Sequence, residues 1–451
     1  MKLNKKITIP IIAMCLAVTA TACGTKTTTT TTTTANETLK NSSDGEHVIA
    51  VDGTTENYSN TEVIKTGDSD GDEADFYGEN AAIFATNKGT LEMSEMSIDT
   101  NGAHANAVFS YGDETTVNIA NSHITTSGNC SGALMTTGGG TMNATNVTAE
   151  TTGNSSATIR SDRGGGTVTV NGGNYKTSGK GSPTIYSTAD ITVNDSYLES
   201  TASQGVVVEG RNSVTLNNTN LMANNNTKNS NKSDYYQAVM IYQSMSGDAS
   251  EGTSSFTMNG GSLTNVNGDI FFVNNTSSDI SLSNANITNN DANGVFLRAA
   301  AAGWGTSGSN GGKVNLKASS QAINGNMIVD SISTLNLYLN DNSTFTGAIN
   351  PDGQSGNVYV ELTNGSTWTL TADSYVSSLT CDANSINLNG HTLYVNGVAY
   401  NENTISTGNA IEIKTSDSKN SDAKKSDAKG GSQGKPSDGQ SSKGNPPKKP
   451  E

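Results

Sequence analysis

The sequence predicts an all-β solenoid of about eleven or twelve stacked coils, three strands to a coil, capped at both ends and followed by a disordered C-terminal tail. Three observations carry this. From about Asn80 to Gly397 one short phrase returns roughly every 23 to 32 residues, the period of stacked repeat units. Inside each phrase apolar residues alternate with Thr or Ser, and no helical periodicity is present. Asn recurs at one turn position, as Asn171, Asn194, Asn217 and Asn259.

At the N-terminus, Lys2, Lys5 and Lys6 precede an apolar stretch (9–22) too short for a comfortable membrane span. Residues 1–22 therefore read as a signal peptide. The stretch ends in Ala20, Thr21, Ala22 and Cys23, which resembles a bacterial lipobox although Leu is usual three residues before the Cys. That resemblance implies lipidation of Cys23, an exported chain and a membrane anchor on the extracellular face; an ordinary signal cleaved after Ala22 is the alternative. Residues 23–43, with an unbroken Thr tract at 27–34, read as a linker. Residues 44–79 are expected to form an N-terminal cap or first, irregular coil, and residues 80–415 the coils and their C-terminal closing strands.

Each coil is expected to hold three strands. The first is short and apolar: Val108-Phe109, Leu134-Met135, Ile159-Arg160, Ile185-Tyr186. The second alternates, as in Val168-Thr169-Val170, Ile191-Thr192-Val193 and Phe256-Thr257-Met258, the pattern of a strand with one buried face. The third carries Ile124, Val147, Tyr175, Leu198, Leu221, Leu263 and Ile287. The Asn turn lies between the second and third, where Asn tolerates left-handed backbone and can hydrogen-bond along the stack. Three strands per coil with such a turn resemble the right-handed parallel β-helix of the pectin-lyase-like superfamily. The chain is also similar in general texture to adhesin-like bacterial surface lipoproteins. The first resemblance bears on fold and hardly at all on activity.

Charge is uneven. Between Cys23 and Thr415 fifteen basic residues face thirty-seven acidic ones, about −22, whereas residues 416–451 hold eight Lys against five acids, about +3. An acidic solenoid with a basic, disordered tail is expected. The overall charge of −16 argues against nucleic-acid binding. Cys130 and Cys381 sit about ten coils apart, on the order of 45 Å at the strand spacing, too far for a mutual disulfide.

The first strand carries two adjacent apolar columns. Ile83, Val108, Leu134, Ile159, Ile185, Val207, Met240, Phe271, Phe296 and Ile328 are expected inside. Phe84, Phe109, Met135, Arg160, Tyr186, Val208, Ile241, Phe272, Leu297 and Val329 are then expected outside, because neighbours in a strand face opposite ways. An exposed apolar stripe points to a binding groove; cover by the chain's own insertions and contact with a second copy are the alternatives. All four arginines, Arg160, Arg163, Arg211 and Arg298, fall at the following turn, as do two insertions, 243–255 and 299–312, the latter with Trp304. Asp113, Glu114, Asp162, Glu209 and Asp330 share that edge, so a solvated charge ladder is the plainer reading. Phe84, Phe109, Met135, Arg160, Arg163, Tyr186, Arg211, Phe272, Arg298 and Trp304 are the candidate ligand-binding residues.

Asp68, Asp70 and Asp72 have a D-x-D-x-D spacing that could hold Ca²⁺, although Glu73 stands where an EF-hand loop needs Gly; a solvated acidic turn is the alternative. No other cofactor is implied. Paired glycosidase carboxylates, polygalacturonase-type motifs and a Ser/His/Asp set are not legible. The expected function is therefore a non-catalytic surface lipoprotein that binds glycan or another extracellular polymer. A polysaccharide-active lyase or glycosidase of the pectin-lyase-like fold, and a plain structural spacer, are the alternatives.

Overall fold

The structure, a computed structural model, describes residues 37–228, 230–353, 356–402 and 408–413. These wind into a parallel β-helix solenoid. The first strands of successive coils stack into an 11-stranded sheet that runs from Ile49–Asp52 to Met327–Val329, prolonged by a bridge from Met327 to Ile349. Second and third strands share a 21-stranded sheet. They share it because two 12-residue strands, Gly140–Thr151 and Gly166–Thr177, run from one position into the other without a break. At the C-terminal end a 4-stranded sheet takes the third position. The parallel order ends where Leu393–Val395 meets Val398–Ala399 in antiparallel pairing.

The stack starts earlier than expected. Strand Glu37–Asn41 pairs with Thr61–Lys65, so the first coil includes residues assigned above to the linker. Its Leu39 packs on the core, which is why it belongs to the fold and not to a tether. The signal segment, Cys23, the Thr tract and the basic tail lie outside the described residues.

Alternation in the second strand places its apolar residues correctly: Val168, Val170, Ile191, Val193, Val214 and Leu216 are fully buried. The Asn turns form a ladder. Asn194 Nδ2 donates to Asn171 Oδ1 (2.9 Å), Asn217 to Asn194 (2.8 Å) and Asn259 to Asn217 (3.0 Å). The left-handed residue is the next one in each coil, Asp195 (φ 49°), Asn218 (φ 46°) or Gly260 (φ 67°). The ladder Asn residues thus close the strand, and their neighbours make the turn.

Two registers differ from expectation. In the first strand Ile185 aligns with Val206, Val206 with Val239, and Leu297 with Met327. Val207, Met240 and Ile328 therefore lie in the outward column with Tyr186, Phe272 and Arg298, while Val208, Ile241, Leu297 and Val329 are inward core residues. Three apolar residues in a row leave the phase of a period-2 pattern undefined. In the third strand Ala149, not Val147, aligns with Ile124 and Tyr175.

Candidate functional site

The outward face of the first-strand sheet is not open. Phe109, Met135 and Phe272 are fully buried, and Val207 and Met240 nearly so. Two covers account for this. At the N-terminal end the short helix Asp72–Tyr77 lies over the sheet. Thr137 Oγ1 donates to Phe76 O (2.8 Å), and Tyr77 meets Tyr111 edge-on at 5.8 Å. Gly78 sits so close that a Cβ there would come within 3.0 Å of the Phe84 and Phe109 rings. Phe84, half-buried, stacks on His47 at 4.6 Å. Further along, the insertions 224–236 and 299–312 close over Val207, Met240 and Phe272 and touch each other through Gly303 N to Lys232 O (2.6 Å). The exposed stripe expected for Phe84, Phe109, Met135 and Phe272 is thus a second, outer core, which follows from the cost of leaving so many apolar side chains in water.

Three of the four arginines are occupied within the molecule. Arg160 pairs with Asp162 at 2.9 Å, both nearly buried. Arg163 bridges Asp248 (2.8 Å) and Asp72 (3.1 Å) and lies 3.6 Å over the Phe76 ring. Arg298 pairs with Asp269 at 2.6 Å. Only Arg211 is exposed, above a shallow depression shared with Asp248 and Ser250. Burial pushes Asp162 up to about 6 against the pull of Arg160, with Asp248 and Glu209 adding to the rise.

Between the two central insertions a cleft of about 270 Å³ remains. Tyr186, Tyr242 and Trp304 line it together with Tyr235, Tyr236, Lys228, Lys232, Gln204, Asn225 and Gln237. The rings are held in place. Tyr186 and Tyr242 hydroxyls both donate to Glu209 Oε2, at 2.5 and 2.9 Å, and Ser244 donates to its other oxygen. Burial, with Glu209 beside both rings, keeps the two phenols far above their usual range. Trp304 meets Tyr242 edge-on at 5.2 Å, and Asn310 Nδ2 fixes the Trp304 loop by donating to the carbonyls of Ala302 and Trp304. Tyr235, 38% exposed, rests against Phe272 and on the Arg298 guanidinium, 4.2 Å away. Arg298 therefore positions an aromatic wall, with its charge neutralised by Asp269.

Of the candidate residues the structure brings Tyr186 and Trp304 into one cleft, with Phe272 and Arg298 directly behind it. Sequence reasoning missed Tyr235, Tyr242, Lys228 and Lys232. The signal was a spacing: 33 residues separate the aligned Val206 and Val239, against 26 from Ile159 to Ile185 and 21 from Ile185 to Val206, marking residues 224–236 as a third insertion.

The three aspartates do not converge. Asp68 Oδ1 accepts from Ala103 N (2.7 Å), Asp70 lies 3.7 Å from His104 Nε2, and Asp72 turns to Arg163. The helix that starts at Asp72 ends the loop a Ca²⁺ site would need. No family model, curated protein or solved structure matches this chain.

Proposed function

We propose that the chain is a surface lipoprotein with a solenoid of the pectin-lyase-like type, and that it binds a glycan, without catalysis of its own, in the cleft between the two central insertions. The observation that carries this reading is that the partly exposed rings of Tyr235, Tyr236 and Trp304 share one cleft with the amide side chains of Gln204, Asn225 and Gln237. A sugar ring offers an apolar face to an aromatic ring and a rim of hydroxyls to amides, and clefts of this composition suit such ligands. Lys228 and Lys232 on the same rim would favour acidic substituents on the polymer. The test is a glycan array followed by titration of hits. Tyr235→Ala and Trp304→Ala should each weaken binding roughly 5- to 30-fold, the usual range for aromatic anchors, with the solenoid still folded by circular dichroism because the inner core is untouched. Hits insensitive to both substitutions would remove the cleft from the reading, and an array without hits would remove the glycan.

A polysaccharide-active enzyme has one observation in its favour. Asp162, pushed up to about 6, could hold a proton near neutral pH, as a general acid must. It is buried and tied to Arg160, while Glu209 is buried beneath two tyrosines, so neither acid is presented to a ligand. Release of reducing sugar or of an unsaturated product from an array hit would favour the enzyme.

A further inference from the structure

Beyond the aromatic cleft, a second group of side chains converges on one point. In the turn before the first strand one position is left-handed in four successive coils, at His104 (φ 56°), Cys130 (φ 56°), Ser155 (φ 54°) and Gly181 (φ 64°), and also at Gly45 (φ 65°) two coils before His104. His104 and Cys130 each stand four residues before the aligned pair Val108 and Leu134, so they are neighbours along the stack. The peptide frame is continuous there: His104 N donates to Asn129 O (2.9 Å) and Cys130 N to Asn154 O (2.8 Å). Over this turn lies the helix Asp72–Tyr77, which directs Asp75 onto His104.

The donor atoms of Asp75, His104 and Cys130 all lie within 4.8 Å of one another. That geometry discriminates between two chemistries. In a Cys–His–Asp relay the thiol and the carboxylate sit at opposite nitrogens of the ring, well apart. Here sulfur, nitrogen and carboxylate oxygen are gathered within 4.8 Å of one another, as the ligands of one ion are. Bonds of about 2.0–2.3 Å at tetrahedral angles put donor atoms roughly 3.3–3.8 Å apart, inside the observed range from 2.7 Å between His104 Nδ1 and Asp75 Oδ1 up to 4.8 Å. His104 is 8% exposed, and its Nδ1, despite that short approach, has no aligned hydrogen-bond partner. A nearly buried ring nitrogen beside a carboxylate that is misaligned for a hydrogen bond can present its lone pair to an ion. Cys130 is a free thiol with partial solvent access, which leaves a way in. Asp70, largely exposed, lies 3.7 Å from the opposite ring nitrogen, Nε2, where an outer carboxylate orients a ligating imidazole.

We infer that Asp75, His104 and Cys130 bind one divalent transition metal ion of the zinc type, with the fourth position open to water. Thiolate and imidazole donors select such an ion over Ca²⁺ or Mg²⁺, which take oxygen. The ion would tie the helix Asp72–Tyr77 to two coils and so clamp the cover that buries Phe109 and Met135.

The experiment is metal titration of the full chain, reduced and stripped with chelator, using Zn²⁺ and then Co²⁺ as a spectroscopic probe. One equivalent should bind, and Co²⁺ should give a thiolate-to-metal charge-transfer band. Zn²⁺ should also protect Cys130 from iodoacetamide. Cys130→Ser should abolish the band and weaken Zn²⁺ binding at least 100-fold, since the loss of a mere outer-shell partner already costs about 10–100-fold. The fold should persist in that variant, because Ser155 already holds the same backbone position one coil on. His104→Gly should likewise lose the ion and fold, as Gly45 and Gly181 do at that position. The inference is overturned if the wild-type chain gives no charge-transfer band, if binding survives both substitutions, or if Cys130 alkylates equally fast with and without Zn²⁺. That last result would return the cluster to a reactive-thiol reading.

Discussion

Arg160 shows how far a single side chain's surroundings can depart from its place in the sequence. It follows the inward Ile159 and belongs to the outward column of the first strand, yet its side chain is nearly buried against Asp162. Breaking a buried pair strands the surviving charge, which costs about 3–5 kcal/mol. Arg160→Met should therefore destabilise the chain by that order in chemical denaturation above neutral pH, where the Asp162 carboxylate is left buried and unpaired, and adding Asp162→Asn should recover most of it. A single and a double variant of equal stability would show that the pair is not coupled. The pH dependence has a defined sign. Asp162 has its folded pKa raised from 3.8 to about 6, so the folded state holds the extra proton between those values. Its contribution is complete below 3.8 and declines as pH rises through about 6. A shallow loss of stability over that interval, absent in the double variant, is the expected outcome. Phe109 belongs to the same scale. With the ring fully buried under the helix, Phe109→Ala should cost about 3 kcal/mol or more, whereas an exposed stripe residue would cost almost nothing.

The element that repeats is the coil, and its strands differ in how firmly their sequences set them. In the second strand Ile191 and Val193 are fully buried while Thr192 between them is half-buried. Ile185→Asp would put an unpaired carboxylate in the inner core, at a cost of several kcal/mol by order of magnitude, and Thr192→Ser should stay within about 0.5 kcal/mol of wild type. Equal melting temperatures for the two would contradict the inward and outward assignment. Asn194 sits mid-ladder, donating to Asn171 and accepting from Asn217. Asn194→Ala removes both bonds, worth about 1 kcal/mol each. It should lower stability without shifting register, because Ile191 and Val193 still point inward. The alternation was legible because Thr separates the apolar residues. The first strand was not, because Val206, Val207 and Val208 offer no polar residue to mark a face.

At the scale of the molecule the solenoid is an acidic stack whose covered face is interrupted by one aromatic cleft. The anchor proposed at Cys23 belongs to this scale too. Cys23→Ala should move the chain from the membrane fraction to the medium or block its processing, as read by fractionation; an unchanged membrane fraction would contradict it. In the described residues no helix is long and apolar enough to cross a membrane.

By itself the sequence determined the solenoid, the inward faces of the second strand and the Asn ladder. Each of these rests on spacing along the chain, and a parallel stack turns equal spacing into contact between neighbouring coils. The same logic puts His104 one coil from Cys130, a relation visible only when the coils are aligned on their inward residues, Val108 with Leu134. What only the tertiary structure decided was the fate of the outward column. Whether Phe109, Met135 and Phe272 meet solvent depends on where the helix Asp72–Tyr77 and the insertions 224–236 and 299–312 come to rest. Those segments lie outside the repeat, so no periodicity constrains them. Their position is set by the apolar area they can cover and by charge pairs such as Arg163 with Asp248, between residues far apart in the chain.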